Sequence, residues 1–421
     1  MKLMVVGGGG REHAIIKKLK ENRNVEVIYA LPGNGGIAAD AVCVDIGAKD
    51  IDRIVEFAVA EKIDLAVVAP DDPLVLGAVD ALEARGIKCF GPRAAAAAIE
   101  GSKVFAKDLM KKYGIPTADY NVFSNAEDAL EYLKESKLPI VIKADGLALG
   151  KGVFIAETRE QAYSAVHSLM EDRIFGNSGS NIVIEEFLSG PEVSVLAFTD
   201  GVTVRPMVSS MDHKRAYDGD MGANTGGMGT VAPNPYYTDA VASECMEKIF
   251  LPTVAAMRTE GRTFKGCLYF GLMITPDGPR VIEYNCRFGD PETQVVLPLL
   301  KSDLLDIMLA VADGRLADAE VEFSDGCACC VVGVSDGYPQ SYGTGYEISI
   351  DGEIDGEVFF AGARLDGGRL LSAGGRVVGV TATCDTLSGA VSKAYAQIKK
   401  VHFDNMRYRS DIGARALEAG K

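Results

Sequence analysis

Short apolar strands and helical stretches take turns over the first 90 residues, and few folds accept such a pattern. KLMVVG, from Lys2, reads as a strand, and the glycines that follow read as a turn. Residues 11–22 then read as a helix whose apolar positions Ala14, Ile15 and Leu19 share a face. Further strands fall at 25–30, 42–45, 65–69 and 87–90, with helices at 51–61 and 74–85 between them. Strands joined through helices lie parallel, with helices covering both faces of the sheet. Residues 1–102 are thus expected to form a Rossmann-like domain of α/β class.

The turn Gly7-Gly8-Gly9-Gly10 invites comparison with the dinucleotide fingerprint G-x-G-x-x-G and fails it. The third glycine would stand where the chain has Glu12, and the second strand ends Tyr29-Ala30-Leu31-Pro32 without an acid for a ribose hydroxyl. A glycine turn opening a helix is still a site for an anionic sugar phosphate. Gly8, Gly9, Gly10 and Arg11 would gather with Asn34 and Asp71 at the carboxyl ends of the strands. An equal reading is that these glycines only permit tight turns.

After GPRAAAAAIEGSK a helix is expected from Lys103 to about residue 112, broken by Gly114-Ile115-Pro116. A second unit follows. PIVIKADG is a buried strand delivering Lys143, and the turn DGLALGKGV leads into another strand, GVFIAE. This is a flap whose backbone around Gly150 and Gly152, with Lys151, is placed to close over phosphates. It is not a P-loop, for no G-x-x-x-x-G-K-[ST] is present. Past a helix at 160–170, NIVIEEFLSGPEVS ends one strand at Glu185, Glu186, Phe187 and Leu188 and begins another at Glu192. Such an end offers backbone groups to an adenine edge and a carboxylate to a ribose, and it equally describes an ordinary acidic hairpin.

In SSMDHKRAYDGDMGANTGGMGTVAP, Asp212, His213, Lys214 and Arg215 are crowded ahead of Thr225, Gly226, Gly227, Met228 and Gly229. So many glycines and charges with so little apolar period point to a loop that approaches a ligand closely; the other reading is a solvated surface loop. His213 is given no proton-transfer role.

RVIEYNCRFGDPETQ starts as an apolar strand and places Glu283 and Asn285 two residues apart on one face. Two hard oxygen donors there, with Arg287 alternating to the same side, suit Mg²⁺ bridged to polyphosphate. Arg287 would neutralise charge on a transferring phosphoryl group. Taken alone, the stretch also fits a strand end carrying solvated polar residues.

Composition narrows the partners. The 43 Lys+Arg against 59 Asp+Glu give a net charge of −16, which disfavours nucleic acid and anionic membranes. No apolar run reaches the roughly 18 residues of a membrane-spanning helix, and the N-terminus lacks the apolar centre of a signal peptide. Nine scattered cysteines fit a reducing cytosol, so a cytoplasmic location is expected. Cys327, Cys329 and Cys330 sit in CACCVVGV, a buried-strand pattern, and are read as structural thiols rather than metal or redox groups.

The strings GPRAAAAAIEGSK, IVIKADGLALGKGV, VIEEFLSGPEVS, DHKRAYDGDMGANTGGMG, IEYNCRFGDPETQ, GGRVVGVTA and YRSDIGARAL occur in that order over essentially the whole chain. Together they make the sequence resemble the phosphoribosylamine–glycine ligase family (glycinamide ribonucleotide synthetases) of ATP-grasp enzymes. DHKR, NTGGMG and NCRFGDPE are specific to that family, whereas the lysines, the flap and the Glu/Asn pair are shared across ATP-grasp proteins. The family usually has Gly-Pro-Asn-Thr where this chain has Gly222-Ala223-Asn224-Thr225, Ala at Leu149, and Gly-Pro-Glu at Ala69-Pro70-Asp71.

The resemblance implies an N-terminal Rossmann-like domain (1–102), an ATP-grasp body (103–122 and 192–322), a mobile glycine-rich flap domain (123–191) and a small β-rich C-terminal domain (323–421). It implies ATP and Mg²⁺ or Mn²⁺ as cofactors, with glycine and 5-phosphoribosylamine as substrates. Lys103, Lys143, Gly150, Lys151 and Gly152 would hold the ATP phosphates, Glu185, Glu186, Phe187 and Leu188 the adenine, and Glu192 the ribose. Glu283 and Asn285 look like the metal ligands, and Arg287, Asp212 and Lys214 like the catalytic set. Gly8, Gly9, Gly10, Arg11, Asn34, Asp71, the loop from Thr225 to Gly229, Asp290 and Arg409 resemble substrate-binding positions.

The implied chemistry starts with the carboxylate of glycine attacking the γ-phosphorus of ATP to give glycyl phosphate. The amine of phosphoribosylamine then displaces phosphate, leaving ADP, phosphate and glycinamide ribonucleotide, a step of de novo purine synthesis. No enzyme nucleophile is required. One rival is an ATP-grasp ligase joining another acid and amine. Others are a nucleotide sensor, which should lack an intact metal pair, and a dehydrogenase, which should have the fingerprint that Glu12 interrupts. A monomer or weak homodimer is expected.

Overall fold

The computed structural model describes residues 1–148 and 152–419. Its first unit is a parallel sheet of Lys2–Gly7, Val27–Pro32, Val42–Cys43, Leu65–Val68 and Lys88–Phe90, in the order third, second, first, fourth, fifth. Both faces of the central strand are covered, which is why Leu3, Met4, Val5 and Val6 are all buried. The order reverses at that strand, so its carboxyl end, the glycine turn, lies at the switch point where α/β sheets bind ligands. The helix expected at 74–85 is two, Asp71–Val75 and Ala78–Glu83, parted at Gly77, whose φ of +87° a helix interior does not accept.

The flap is an antiparallel sheet of Tyr120–Phe123, Ile182–Glu186, Ile140–Ala144 and Val153–Ala156, in that spatial order. Helices Ala126–Glu135 and Arg159–Val166 close a separate core around Ile142, Ile184 and Leu169. The body sheet runs Val204–Pro206, Glu192–Thr199, Gly266–Thr275, Gly278–Asn285. Opposite it stands a sheet of Met211–Asp212, Gly229–Ala232, Cys327–Ser335, Arg376–Cys384 and Glu357–Phe360.

Two boundaries differ from expectation. Tyr120–Phe123 pairs with Ile182–Glu186, so the flap begins ahead of residue 123. Met211–Asp212 and Gly229–Ala232 pair into the C-terminal sheet, so the glycine-rich loop between them hangs from that sheet rather than from the body. One apolar core runs from Leu3 and Phe90 through Phe198 and Phe288 to Val331 and Val378, which joins the N-terminal unit, the body and the C-terminal sheet. No helix among the described residues is long and apolar enough to cross a membrane.

Candidate active site

Glu283 and Asn285 end the strand Gly278–Asn285, opposite Gly271 and Tyr269. A bulge precedes them, for Leu272 pairs with Val281 and Gly271 with Glu283, leaving Ile282 without a partner. The spare Ile282 carbonyl accepts from Lys143 Nζ at 2.9 Å, which ties the flap strand to the body beside Glu283. Lys214 Nζ lies 3.2 Å from Glu192 Oε2 and 3.5 Å from Glu283 Oε1. Lys214 draws the Glu283 carboxyl below its ordinary value, burial opposes this, and Lys143 and Lys103 add to the draw. Burial acts against the Lys214 charge in turn, but Glu192 and Glu283 outweigh it and hold the ammonium well above the usual lysine value.

Arg287 lies past the strand end. Its guanidinium is near enough to help lower the Glu283 carboxyl and is anchored on Glu100, with Nη2 3.0 Å from Oε1. The other Glu100 oxygen accepts the Cys286 N–H at 2.7 Å. Burial would raise the Asp71 carboxyl, yet Arg287 and then Arg11 overcome it and keep Asp71 below its ordinary value.

Lys103 opens the helix Lys103–Tyr113 and donates to Gly146 O at 3.2 Å. Ser102 Oγ and the Val104 N–H each reach Asp145 Oδ1 at 2.9 Å, so the root of the glycine loop is fastened to the helix start. Burial, and after it the neighbouring Lys143, push the Lys103 ammonium below its usual value. Two crowded ammoniums are what a polyphosphate relieves. Glu185, 4% exposed, pairs with both Lys143 and Lys107, and Lys107 also donates to Thr117 Oγ1 at 2.8 Å. Its carboxylate is therefore committed to lysines rather than to adenine. Glu186 pairs with Arg280 at 3.3 Å, Phe187 is exposed at the strand end, and Gly152 packs so closely that a Cβ would stand 2.7 Å from Ala148 Cβ. Gly150 and Lys151 lie outside the described residues.

In DHKR the histidine is structural. His213 Nδ1 donates to Gly229 O at 3.1 Å and Nε2 accepts the Gly413 N–H at 3.1 Å, a pattern only the neutral ring satisfies. Burial, then the nearby Arg409, push its pKa down to about 4. Thr225 Oγ1 donates to Lys214 O at 2.8 Å and accepts the Gly227 N–H at 3.0 Å. Gly227, at φ +112°, lies where a Cβ would be 2.7 Å from Asp212 Oδ1 and 2.4 Å from Pro291 Cδ. Asp212 Oδ1 is buried without a hydrogen-bond partner, and burial followed by the Glu292 carboxylate pushes Asp212 well above its ordinary value. Met228 is fully buried and Gly229 belongs to a strand, so these two anchor the loop instead of lining it.

Glu12 shows why the glycine turn is no dinucleotide site. Its Oε2 accepts the Gly9 N–H at 2.7 Å, and Oε1 pairs with Arg11 at 2.7 Å. The carboxylate thus caps the helix Gly10–Leu19 at the place a pyrophosphate would take. Gly9 and Gly10 abut the body, where added Cβ atoms would stand 3.5 Å from Asp290 Oδ2 and 2.7 Å from Gln294 Nε2. Asn34 spends both amide hydrogens on Gly8 O and Phe360 O, at 2.9 and 2.8 Å, and its oxygen accepts from Gly36 and Ile37. It has no capacity left for a substrate. Arg409, 1% exposed, is closed off by Asp220 at 2.9 Å, Asp411 at 2.7 Å and Arg215 O at 3.0 Å. None of these partners touches the glycine turn, so Arg409 is not brought to Gly8, Gly9, Gly10 or Arg11.

Four residues that sequence reasoning passed over complete the site: Glu100, Lys107, Glu292 and Arg376. Arg376 donates to Gly226 O at 2.5 Å and Asp290 O at 2.8 Å, and its Nη2 lies 3.2 Å from Asp290 Oδ2. Glu100 and Arg376 stood out as single charges in the apolar strings AAAAAIEG and GGRVVGV. Nothing distinguished Lys107 or Glu292 before their neighbours were known.

Three family models match the chain: the phosphoribosylglycinamide synthetase N domain over residues 1–100, the ATP-grasp (A) domain over 101–293 and the C domain over 328–415. A phosphoribosylamine–glycine ligase of Clostridium acetobutylicum is 48% identical over 413 residues, covering 98% of this chain and 99% of that one. The crystal structure of the Thermotoga maritima phosphoribosylamine–glycine ligase matches with a TM-score of 0.87 at 35% identity, covering 98% of this chain and 100% of that one. A biotin carboxylase domain of Hydrogenobacter thermophilus shares the fold, with a TM-score of 0.74 at 15% identity over 100% of this chain and 94% of that one.

Proposed function

The chain belongs to the phosphoribosylglycinamide synthetase family and is an ATP-dependent ligase, and from that premise we propose how its side chains join glycine to 5-phosphoribosylamine. The reaction proceeds through glycyl phosphate, releases ADP and phosphate, and belongs to purine biosynthesis. The observation that carries the assignment of roles is the gathering of Lys103, Lys143 and Lys214 around Glu283 at the end of one body strand.

Glu283, kept ionised by those lysines, and Asn285 beside it are hard oxygen donors of the kind a divalent metal takes, and we assign Mg²⁺, or Mn²⁺ in its place, to them. That ion would supply charge neutralisation on the polyphosphate. Lys103 and Lys143 hold the phosphates, and Glu185 with Lys107 beneath keeps Lys143 aimed. Adenine lies against the backbone of the strand end at Glu185, Glu186, Phe187 and Leu188, the Glu185 carboxylate staying with its lysines, and Glu192 faces the ribose. Gly150, Lys151 and Gly152 are assigned to the phosphates on the resemblance alone, and covering the phosphates would exclude the water that hydrolyses glycyl phosphate.

Lys214 and Arg287 balance the charge that develops as glycine's carboxylate attacks the γ-phosphorus, and Glu100 holds Arg287 in place. The acceptor amine approaches from the junction of Gly8, Gly9, Gly10 and Arg11 with Asp290 and Thr225, Gly226 and Gly227, the loop that Met228 and Gly229 anchor, and Asp212 and Asp71 lie alongside. We further propose a cytoplasmic enzyme, monomeric or weakly dimeric, without a nucleic-acid partner, in keeping with its net charge of −16.

The test is ADP release by the purified chain with MgATP and labelled glycine, with and without freshly made phosphoribosylamine. ADP formed in step with labelled glycinamide ribonucleotide only when all three substrates are present supports the scheme. Nucleotide binding without glycine incorporation overturns the substrate assignment.

A further inference from the structure

Cys327 and Cys384 face each other across the antiparallel strands Cys327–Ser335 and Arg376–Cys384, at one end of that ladder. Residues directly opposite in such a pair stand roughly 4.5 to 5.5 Å apart at Cα with Cβ atoms on the same face, inside the roughly 4.4 to 6.8 Å span of a disulfide. The expectation of a wholly buried cysteine strand holds for Cys329 and Cys330 but not here, since Cys327 is half-buried and Cys384 exposed. Cys384 Sγ is turned toward the first turn of the helix Leu387–Ile398, where a Cβ added at Gly389 would meet it at 2.5 Å. Among the remaining thiols Cys89, Cys245, Cys267 and Cys286 are buried, and the exposed Cys43 is paired with Ala30 in the N-terminal sheet.

We propose that Cys327 and Cys384 form a reversible intramolecular disulfide, a redox modification site on the C-terminal sheet. The oxidant is a low-molecular-weight disulfide. Cys384, the more open thiol, gives up its proton and attacks one sulfur of that disulfide, and one small thiol leaves. Cys327 then attacks Cys384 Sγ in the mixed disulfide, the Sγ–Sγ bond forms, and the second small thiol leaves with the second proton. Two protein thiols are oxidised while one small disulfide is reduced to two thiols. The bridge closes the segment from 327 to 384, which contains Arg376, and so fastens the strand whose other end holds the substrate loop.

The full chain, reduced and then incubated with excess oxidised glutathione, is examined by intact mass, by alkylation and peptide mapping, and by thermal unfolding. The expected result is a mass lower by about 2 Da for the two hydrogens lost, a peptide linking Cys327 to Cys384, and a thermal midpoint raised by roughly a few degrees that dithiothreitol reverses. Cys327→Ser and Cys384→Ser each abolish the link, and Cys43→Ser leaves it intact. Full alkylation of Cys327 and Cys384 after oxidation, a glutathione adduct that rests on Cys384, or a bridge through Cys43 overturns the proposal.

Discussion

Arg376 Nη2 lies 3.2 Å from Asp290 Oδ2, and with it the C-terminal sheet reaches across to the segment that follows the strand Gly278–Asn285. The same guanidinium holds Gly226 O at 2.5 Å, so one side chain sets the spacing between the glycine-rich loop and Asp290. Arg376→Ala should raise KM for phosphoribosylamine by roughly tenfold or more, since hydrogen bonds made by a charged group are worth about 1.5 to 3 kcal/mol. Nucleotide affinity should change little, because Arg376 touches none of the lysines. Arg376→Lys keeps the charge but loses the fork and should fall between. Steady-state kinetics beside a nucleotide titration decides this, and an equal loss in both would remove the acceptor-site role.

Glu283→Ala removes the carboxylate that faces three lysines. Turnover should fall by about a thousandfold or more, since the metal that Glu283 is proposed to hold would be worth several kcal/mol of charge stabilisation on the phosphate. The fold should persist, because the strand keeps its ladder with Gly266–Thr275. ADP release and circular dichroism on the same sample provide the check, and near-normal turnover would withdraw the metal assignment.

Glu185→Gln leaves Lys107 and Lys143 buried without their shared carboxylate. Burial opposes the Glu185 charge, and Lys143 and Lys107 together reverse that, which marks the glutamate as their counter-ion. The loss of stability should be about 3 to 5 kcal/mol in urea unfolding, the usual cost of breaking a buried ion pair. ATP, bringing replacement anions, should raise the thermal midpoint of the variant by more than that of the parent chain. Unchanged stability without nucleotide would refute the counter-ion role.

Much of this could be read before any coordinate was known. The strand delivering Lys143, the parallel N-terminal sheet and the pairing of Glu283 with Asn285 depend on local period and glycine turns, which short sequence windows carry. Arg287 is the contrary case. Its neighbours in sequence place it near Glu283, where it helps lower that carboxyl, but its anchor, Glu100, lies 187 residues away. Likewise the glycine-rich, charge-rich run around Asp212 says nothing of Cys329 and Val331, which draw Gly229–Ala232 into the C-terminal sheet. The role expected of Arg409 failed for the same reason, since Asp220 and Asp411 close around it only once the chain is folded. Long-range pairing decides which charges are free for a ligand, and no window of sequence contains it.

His213 makes stability depend on pH. Its folded pKa is about 4, while an unfolded histidine titrates near roughly 6.5. The unfolded chain therefore takes up a proton that the native chain refuses. The contribution is complete above about 6.5 and is lost as pH falls toward about 4, reaching on the order of 3 kcal/mol at the bottom of that window. Urea unfolding of the parent and of His213→Gln at about pH 7 and pH 5 should show a steeper loss in the parent. His13, whose pKa burial also lowers, acts with the same sign in both chains and cancels in the comparison. Equal pH dependence of the two would remove the assignment.

Gly227 tests whether the loop must touch Asp212. At φ +112° it already excludes most side chains, and a methyl group would meet Pro291 Cδ at 2.4 Å and Asp212 Oδ1 at 2.7 Å. Gly219 provides the comparison, because its φ is +70° but an added Cβ meets nothing nearer than Met221 Cγ at 3.9 Å. Both alanine variants carry the backbone strain of a positive φ, about 1 to 3 kcal/mol, and only Gly227→Ala also displaces the carboxylate. Gly227→Ala should therefore lose roughly tenfold or more in kcat/KM for phosphoribosylamine, while Gly219→Ala stays within about twofold despite a similar loss of stability. If the two variants lose activity equally, backbone strain alone accounts for the effect, and the contact between Gly227 and Asp212 carries no catalytic weight.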